Sequence, residues 1–113
     1  MCTYVTTTIA VTGSGKGSGG WFGLSEGSVY FDHPVHAAEE HTLNIDFRNP
    51  GRDVAARVAV ELSAQSALDL ARAILVTLGQ VPPGLTGLED SPELAELAAA
   101  AGVSLAASAP KSA

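Results

Sequence analysis

The chain has 113 residues, of which 46% are hydrophobic and 16% charged, with a formal net charge of -6 and one cysteine. These figures fit one small globular domain, and they exclude multidomain machinery, an internal disulfide and a basic surface for nucleic acid. The sequence lacks both the apolar run of roughly 18 to 20 residues that a membrane span needs and a secretory signal. We therefore expect a cytoplasmic protein with no membrane or nucleic-acid partner.

The first strand is predicted over residues 2–11, where β-branched side chains follow a period of two. Residues 12–20, TGSGKGSGG, carry no apolar side chain and are predicted to form a loop. Such a loop with Lys16 can bind phosphate, although its spacing departs from the P-loop pattern G-x-x-x-x-G-K-[ST]. A flexible lid or an oligomer contact, anchored by Trp21 and Phe22, is the favoured interpretation.

Strands two, three and four are predicted over residues 28–33, 41–48 and 56–62, because apolar and polar side chains alternate in each of them. Residues 49–52, NPGR, have Pro and Gly where a type II turn needs them, so the strands form a meander. One face carries a polar stripe made of Tyr30, Asp32, Asn44, Asp46 and Arg48. We interpret the stripe as a solvated face with an exposed Asp46–Arg48 pair or, under a second subunit, as the lining of a polar cavity.

A long helix is predicted to begin after Ser63 as its N-cap and to end at Gly79 in a left-handed cap. A short helix follows, with Ser91 as its cap. Residues 1–81 thus form an α+β domain, an antiparallel sheet of about four strands with the long helix packed on one face. Residues 82–113 form a linker, the short helix and a flexible tail. Because one helix leaves the second sheet face uncovered, we expect a homo-oligomer.

All three histidines fall within nine residues, beside carboxylates. If strands two and three form a hairpin, His33 and His41 lie near each other across the ladder and His36 can swing over them. Imidazoles with a carboxylate are typical ligands of Zn²⁺ or non-haem Fe²⁺. The pattern predicts a divalent metal site that uses His33, His36 and His41 with Asp32 or Glu40 and keeps one position open for water or substrate. In the enzyme version, Glu40 handles the proton while the ion activates water or a small-molecule substrate.

Two other interpretations of the histidines stay open, namely metal-free acid/base catalysis and ordinary hydrogen-bonded residues at strand ends. A further hypothesis is a non-catalytic, oligomeric binding module. In this module Lys16, Trp21 and Tyr30 hold a small organic ligand or a protein partner.

Cys2 becomes an N-terminal nucleophile if Met1 is removed, and it can then attack a substrate or add a thiolate to the histidine site. The opening MCT looks like the start of N-terminal-nucleophile hydrolases of the bile-acid and penicillin amidase type, whose four-layer fold is far larger than this chain. A small buried residue at the start of an edge strand is the favoured interpretation of Cys2.

Four blocks follow one another along the chain: MCTYVTT, GSGKGSGGWF, VYFDHPVHAAEEHTLNIDF and RVAVELS. They resemble a family of short bacterial proteins of unknown function. The resemblance covers residues 1–78 and is most specific over residues 30–47. It implies no activity, but it points to the histidine segment as the place to look for a site.

Overall fold

The structure, a computed structural model, describes residues 5–52 and 55–105, so that Cys2 and the predicted tail lie outside the described residues. Its elements are β1 (Val5–Gly17), β2 (Gly20–Asp32), β3 (Thr42–Arg48), β4 (Arg57–Leu62), α1 (Ala64–Gln80) and α2 (Pro92–Ala100). The four strands form one antiparallel sheet in the order β1-β2-β3-β4. This arrangement confirms the α+β class and the predicted meander.

The chain divides between Ala67 and Leu68 into two compact units, which we describe separately. The first unit holds the sheet, and the second holds most of α1 together with α2. The packing of the long helix on the sheet and the domain boundary after residue 81 stay predictions.

The glycine-rich segment is part of the sheet, so the predicted loop over residues 12–20 is wrong. β1 continues to Gly17 and β2 begins at Gly20, which leaves only Ser18 and Gly19 for the turn. Ladder hydrogen bonds come from the backbone and need no side chain, and glycine permits close approach of a neighbouring strand. A Cβ atom on Gly15 would lie 3.2 Å from a methyl carbon of Leu24 and 3.2 Å from one of Val58.

The sheet is open but rolled at the end that carries this hairpin. β1 has one extra residue between Ala10 and Gly13, a β-bulge that bends the strand and increases its twist. Beyond the bulge β1 approaches β4, and a Cβ atom on Gly17 would lie 3.2 Å from the carbonyl oxygen of Arg57. Glycine is needed here because the backbones of two strands come close together.

The strand register gives the sheet one apolar and one polar face. The apolar face has three rows: Val5, Phe31, Leu43 and Leu62; Thr7, Val29, Ile45 and Val60; Ile9, Gly27, Phe47 and Val58. In the third row a Cβ atom on Gly27 would lie 3.3 Å from the ring of Phe47, so glycine makes room for that ring. At the β1 edge Val5 and Ile9 are 62% and 50% exposed.

The turn between β3 and β4 forms where it was predicted but with a different geometry. The Arg52 N–H donates to the Asn49 carbonyl oxygen at 3.0 Å, which closes a four-residue turn. Gly51 lacks the positive φ that the third position of a type II turn requires, so the type II prediction is wrong.

The start of α1 confirms the prediction for Ser63, whose hydroxyl oxygen accepts the Ser66 N–H at 3.1 Å. Gly79 lies inside the helix rather than at its end, so the predicted left-handed cap is wrong. A Cβ atom there would lie 2.6 Å from a methyl carbon of Leu105, which makes Gly79 a packing position.

The start of α2 likewise agrees with the prediction, because the Ser91 hydroxyl oxygen accepts the Leu94 N–H at 3.2 Å. Gly102, with φ of 69°, follows the helix and allows the chain to leave it. Within the described part of the chain, neither helix is long and apolar enough to cross a membrane.

Candidate functional site

The polar face of the sheet carries a cleft of about 530 Å³, which is within the size range of small-molecule sites. The cleft lies entirely within the sheet unit. Its lining comes from β2, β3, β4 and the loop between β2 and β3: Tyr30, Asp32, His33, Val35, Asn44, Asp46, Arg57, Ala59, Val60 and Glu61.

The register explains why polar side chains converge there. Tyr30, Asn44 and Glu61 form one row across three neighbouring strands, so they share the polar face. Asp46 lies two residues further along β3, and Arg57 lies diagonally across from it on β4. The alternation of strand residues thus assembles a titratable cluster from positions that are far apart in the sequence.

Three of these side chains form a hydrogen-bonded chain. The Tyr30 hydroxyl donates to Oδ2 of Asp46 at 3.1 Å, and Arg57 donates to Oδ1 from Nε at 3.1 Å and from Nη2 at 2.9 Å. The predicted Asp46–Arg48 pair is therefore wrong. Arg48 lies directly opposite Glu26 in the register and donates to its carboxylate at 2.8 Å instead.

Burial and the neighbouring Asp46 carboxylate keep Tyr30 protonated at neutral pH. Burial raises the pKa of Tyr30 above its ordinary value of 10.0, and the Asp46 carboxylate raises it further, against a smaller lowering by Arg57. At neutral pH the phenol is consequently a hydrogen-bond donor and a poor general base.

Glu61 fastens the loop between β2 and β3 to β4. Its carboxylate accepts three backbone N–H groups, from Val35 at 2.5 Å, His36 at 3.0 Å and Ala37 at 2.9 Å. These bonds, that of Val35 first, hold the pKa of Glu61 below its ordinary value of 4.5 because they favour the charged form. The loop is thereby fixed at one end of the cleft.

The polar face also contains buried polar residues at this end. Asp32 and Asn44 are each 5% exposed, and Thr42 is fully buried. The Thr42 hydroxyl donates to Oδ1 of Asn44 at 2.7 Å, and Oδ1 of Asp32 accepts the His33 N–H at 2.6 Å. In residues 5–52 and 55–105, the Nδ2 amide of Asn44 has no hydrogen-bond partner.

The structure brings two of the three histidine rings together. The ring centroids of His33 and His41 lie 4.6 Å apart, and the His41 ring stacks on Phe31 at 6.0 Å. Nδ1 of His33 lies 3.1 Å from the Glu40 carbonyl oxygen and donates a hydrogen bond to it. The predicted proximity of these two histidines across the hairpin is thus observed.

The remaining predicted metal ligands do not join this pair. His36 is held through its backbone N–H by Glu61, and Asp32 faces the polar side of the sheet. Among the residues that the structure describes, no three His, Cys, Asp or Glu side chains come together in a group that could hold a metal ion. The side chain of Glu40 is exposed, and its carbonyl oxygen lies 3.1 Å from Nδ1 of His33.

The predicted ligand-binding residues also separate. Lys16 pairs with Trp21 next to the β1–β2 turn, and Trp21 is 68% exposed. Tyr30 lies nine residues further along β2, a distance of about 30 Å in an extended strand. Of the three, only Tyr30 lines the cleft.

Sequence reasoning missed Arg57 and Glu61, and it took Asn44 and Asp46 for a solvated stripe. The parity of β4 was the available signal, since Arg57 and Glu61 alternate with the apolar positions of that strand. Their partners lie on other elements, which no local pattern reveals.

Comparison with curated proteins and with solved structures finds no match for this chain. A match does exist to DUF6295, a family of unknown function, over residues 1–87. The matched region contains every residue that lines the cleft. The chain belongs to the DUF6295 family of unknown function.

Proposed function

We propose that this protein binds a small polar molecule in the cleft on the polar face of its sheet. The observation that carries the proposal is a cleft of about 530 Å³ lined by several convergent polar side chains, two of which are nearly buried. Buried polar groups usually fix the orientation of a ligand within a pocket of this size.

The state of the lining favours binding over acid/base catalysis. Tyr30 stays protonated at neutral pH, and Asp46 accepts hydrogen bonds from three donor atoms of Tyr30 and Arg57. Both carboxylate oxygens of Asp46 are thus already engaged in hydrogen bonds. These side chains therefore present fixed hydrogen-bonding groups to a ligand.

The proposal is tested by titrating the ¹⁵N-labelled protein with a mixed library of small polar compounds and following its amide signals. We expect hits to shift signals around Asn44 and Val60. Arg57→Gln should lower the affinity for these compounds, because it weakens the hydrogen bonds to Asp46 and so rearranges the side chains that line the cleft.

Trp21→Ala is the matched control, since Trp21 is exposed beside the hairpin turn and does not line the cleft. Trp21→Ala should bind the same library compounds as the wild type. A library without any hit at the cleft, or hits lost in Trp21→Ala and kept in Arg57→Gln, would refute the proposal.

A metal-binding function is the second candidate, and the paired rings of His33 and His41 favour it. The contact from Nδ1 of His33 to a carbonyl oxygen orients the other nitrogen, as second-sphere partners do for metal-bound histidines. Zn²⁺ and Fe²⁺ are the ions that suit imidazole ligands. A metal-dependent reaction on a small molecule remains part of this second proposal.

The metal proposal is tested by metal analysis of untagged protein and by Zn²⁺ titration calorimetry. His33→Ala and His41→Ala should each abolish binding, while His36→Ala should retain it because His36 lies outside the ring pair. Wild-type protein that takes up no Zn²⁺ or Fe²⁺ would contradict the proposal.

We further propose a cytoplasmic homo-oligomer. Exposed Val5 and Ile9 on the apolar face support self-association, since such patches commonly mark protein contacts. Light scattering coupled to size-exclusion chromatography should give a mass above that of the monomer, and Ile9→Lys should lower it. A monomeric wild type would contradict this part of the proposal.

A further inference from the structure

The edge of β1 over residues 5–10 lies outside the rolled end of the sheet. These residues pair with β2 on one side, and within the described ranges 5–52 and 55–105 no strand pairs with their other side. All six side chains are exposed. The bulge between Ala10 and Gly13 separates this segment from the part of β1 that approaches β4. In an edge strand alternate residues direct their N–H and C=O groups outward, where another strand can pair with them.

This edge lacks the features that usually keep edge strands apart. Natural edge strands are blocked by charged side chains, by proline or by a bulge. Residues 5–10, VTTTIA, contain no charge and no proline, and the bulge comes after them. β4 on the opposite side of the sheet differs, because it carries the charged residues Arg57 and Glu61. The uncharged, β-branched edge of β1 is therefore a template for strand pairing.

The pattern of this segment is symmetric about Thr7. Two antiparallel copies related by a twofold axis at Thr7 place Val5 of each copy opposite Ile9 of the other. The threonines between them then face one another, Thr6 with Thr8 and Thr7 with its own copy. A twofold interface needs such a self-complementary surface, because the same patch contacts itself. The symmetry favours a second copy of this chain over a partner of unrelated sequence.

The same register continues the apolar rows of the sheet. Residues directly opposite in an antiparallel pair point to one face, so the apolar face continues across the axis. The row that ends in Val5 meets the row that ends in Ile9, and the row that ends in Thr7 meets its own copy. Val5 and Ile9, which are 62% and 50% exposed in the single chain, then cover each other. A shift by two residues sets Thr7 against Val5 or Ile9 and loses these contacts.

We propose that two copies of this chain pair edge to edge along residues 5–9 of β1, in an antiparallel register centred on Thr7. The proposal rests on the homo-oligomer proposed above and names its interface. The two four-stranded sheets join into one sheet, and both clefts lie on the same side of it.

Charge substitutions at Thr7 test both the pairing and the register. By light scattering coupled to size-exclusion chromatography, the wild type should have the mass of two chains. Thr7→Lys and Thr7→Glu should each have the mass of one chain, because each sets two like charges against each other at the axis. An equimolar mixture of the two variants pairs opposite charges, so it should regain the mass of two chains and lose it again as the salt concentration is raised.

Trp21→Lys is the matched control, since Trp21 is 68% exposed on β2 and lies outside the proposed interface. It should keep the mass of two chains. Hydrogen exchange gives a second measure: some amides of residues 5–9 should exchange more slowly in the wild type than in Thr7→Lys, because the second copy accepts their hydrogen bonds. Amide spectra establish that each variant is folded.

The inference is overturned if both Thr7 variants keep the mass of the wild-type oligomer, or if their mixture stays monomeric. It is also overturned if Trp21→Lys dissociates the oligomer, or if the amides of residues 5–9 exchange equally fast in the wild type and in Thr7→Lys. In each of these cases an oligomeric wild type leaves the proposed homo-oligomer standing with a different interface. A monomeric wild type refutes both proposals.

Discussion

The buried pair of Thr42 and Asn44 makes a prediction about stability that is independent of any ligand. The pair consists of one hydrogen bond, from the Thr42 hydroxyl to Oδ1 of Asn44 at 2.7 Å, beside the Nδ2 amide that has no partner in the described residues. A net hydrogen bond contributes about 1 kcal/mol, whereas a buried group without a partner costs about 1 to 3 kcal/mol. The wild-type pair thus combines a modest gain with a larger cost.

We expect the double variant Thr42→Val, Asn44→Leu to be more stable than the wild type by about 1 to 2 kcal/mol. It loses the hydrogen bond of about 1 kcal/mol, but it removes both of its partners and the unpartnered amide, and it buries more apolar surface. Thr42→Val alone should lower the free energy of unfolding by about 1 to 3 kcal/mol, since it leaves Oδ1 of Asn44 without its donor. Asn44→Leu alone should lie near the wild type.

Urea unfolding of the four proteins gives the complete double-mutant cycle. A double variant that is less stable than the wild type would refute the reasoning, because Nδ2 would then be well hydrogen-bonded in the native protein. A stabilised double variant that also loses the binding of small polar compounds at the cleft would show that the pair is kept for the site at the expense of stability.

Three further predictions concern the rest of the cleft and the glycine hairpin. Glu61→Gln should speed hydrogen exchange of the three loop amides that donate to Glu61. Because the folded protein lowers the pKa of Glu61, these hydrogen bonds should be complete above pH 4.5 and should be lost as the pH falls through the folded pKa. The chemical shifts of the three amides measure this loss. The Tyr30 ring should titrate above pH 10.0 by NMR, and Asp46→Asn should bring its pKa down; a midpoint at or below 10.0 would contradict the burial argument. Gly15→Ala should cost about 1 to 3 kcal/mol in urea unfolding, against a near-neutral Gly13→Ala whose Cβ meets no atom within 4 Å; equal effects would contradict the close strand approach.

The alternation of side chains was sufficient to predict most of the sheet. The strand over 41–48 matches β3 to within one residue, since Leu43, Ile45 and Phe47 occupy one face as a period of two requires. The helix caps at Ser63 and Ser91 were also predictable, because a cap depends on a few neighbouring residues. Strand alternation and helix caps were thus predictable, because both depend on residues that are close together in the sequence.

The glycine hairpin was not predictable in the same way. Residues 12–20 have no side-chain pattern, and their strand conformation comes from pairing with β2 and from approach to β4 at Gly15 and Gly17. Glycine is usually a signal of a turn, yet in this hairpin it allows two strands to approach each other. The strand conformation of residues 12–20 is therefore set by tertiary contacts and could not be predicted from their composition.

The candidate site shows the same division. The closeness of His33 and His41 followed from the hairpin, but the contacts of Glu61 with the loop and of Arg57 with Asp46 depend on β4. The sequence separates these partners by 11 residues or more. Their convergence required the register of three strands to be known.

Polar side chains are buried on the polar face of the sheet, while apolar side chains at the edge of the apolar face are exposed. This contrast supports a binding role. On the polar face Thr42 is fully buried and Asn44 is 5% exposed, whereas Val5 and Ile9 on the apolar face are at least half exposed. Burying a polar group without a partner costs free energy, and exposing an apolar one forgoes the gain of burial. Selection for the stability of an isolated chain would favour the opposite arrangement. The arrangement makes sense if each face contacts another molecule, a polar ligand at Asn44 and a second copy of the chain at Ile9.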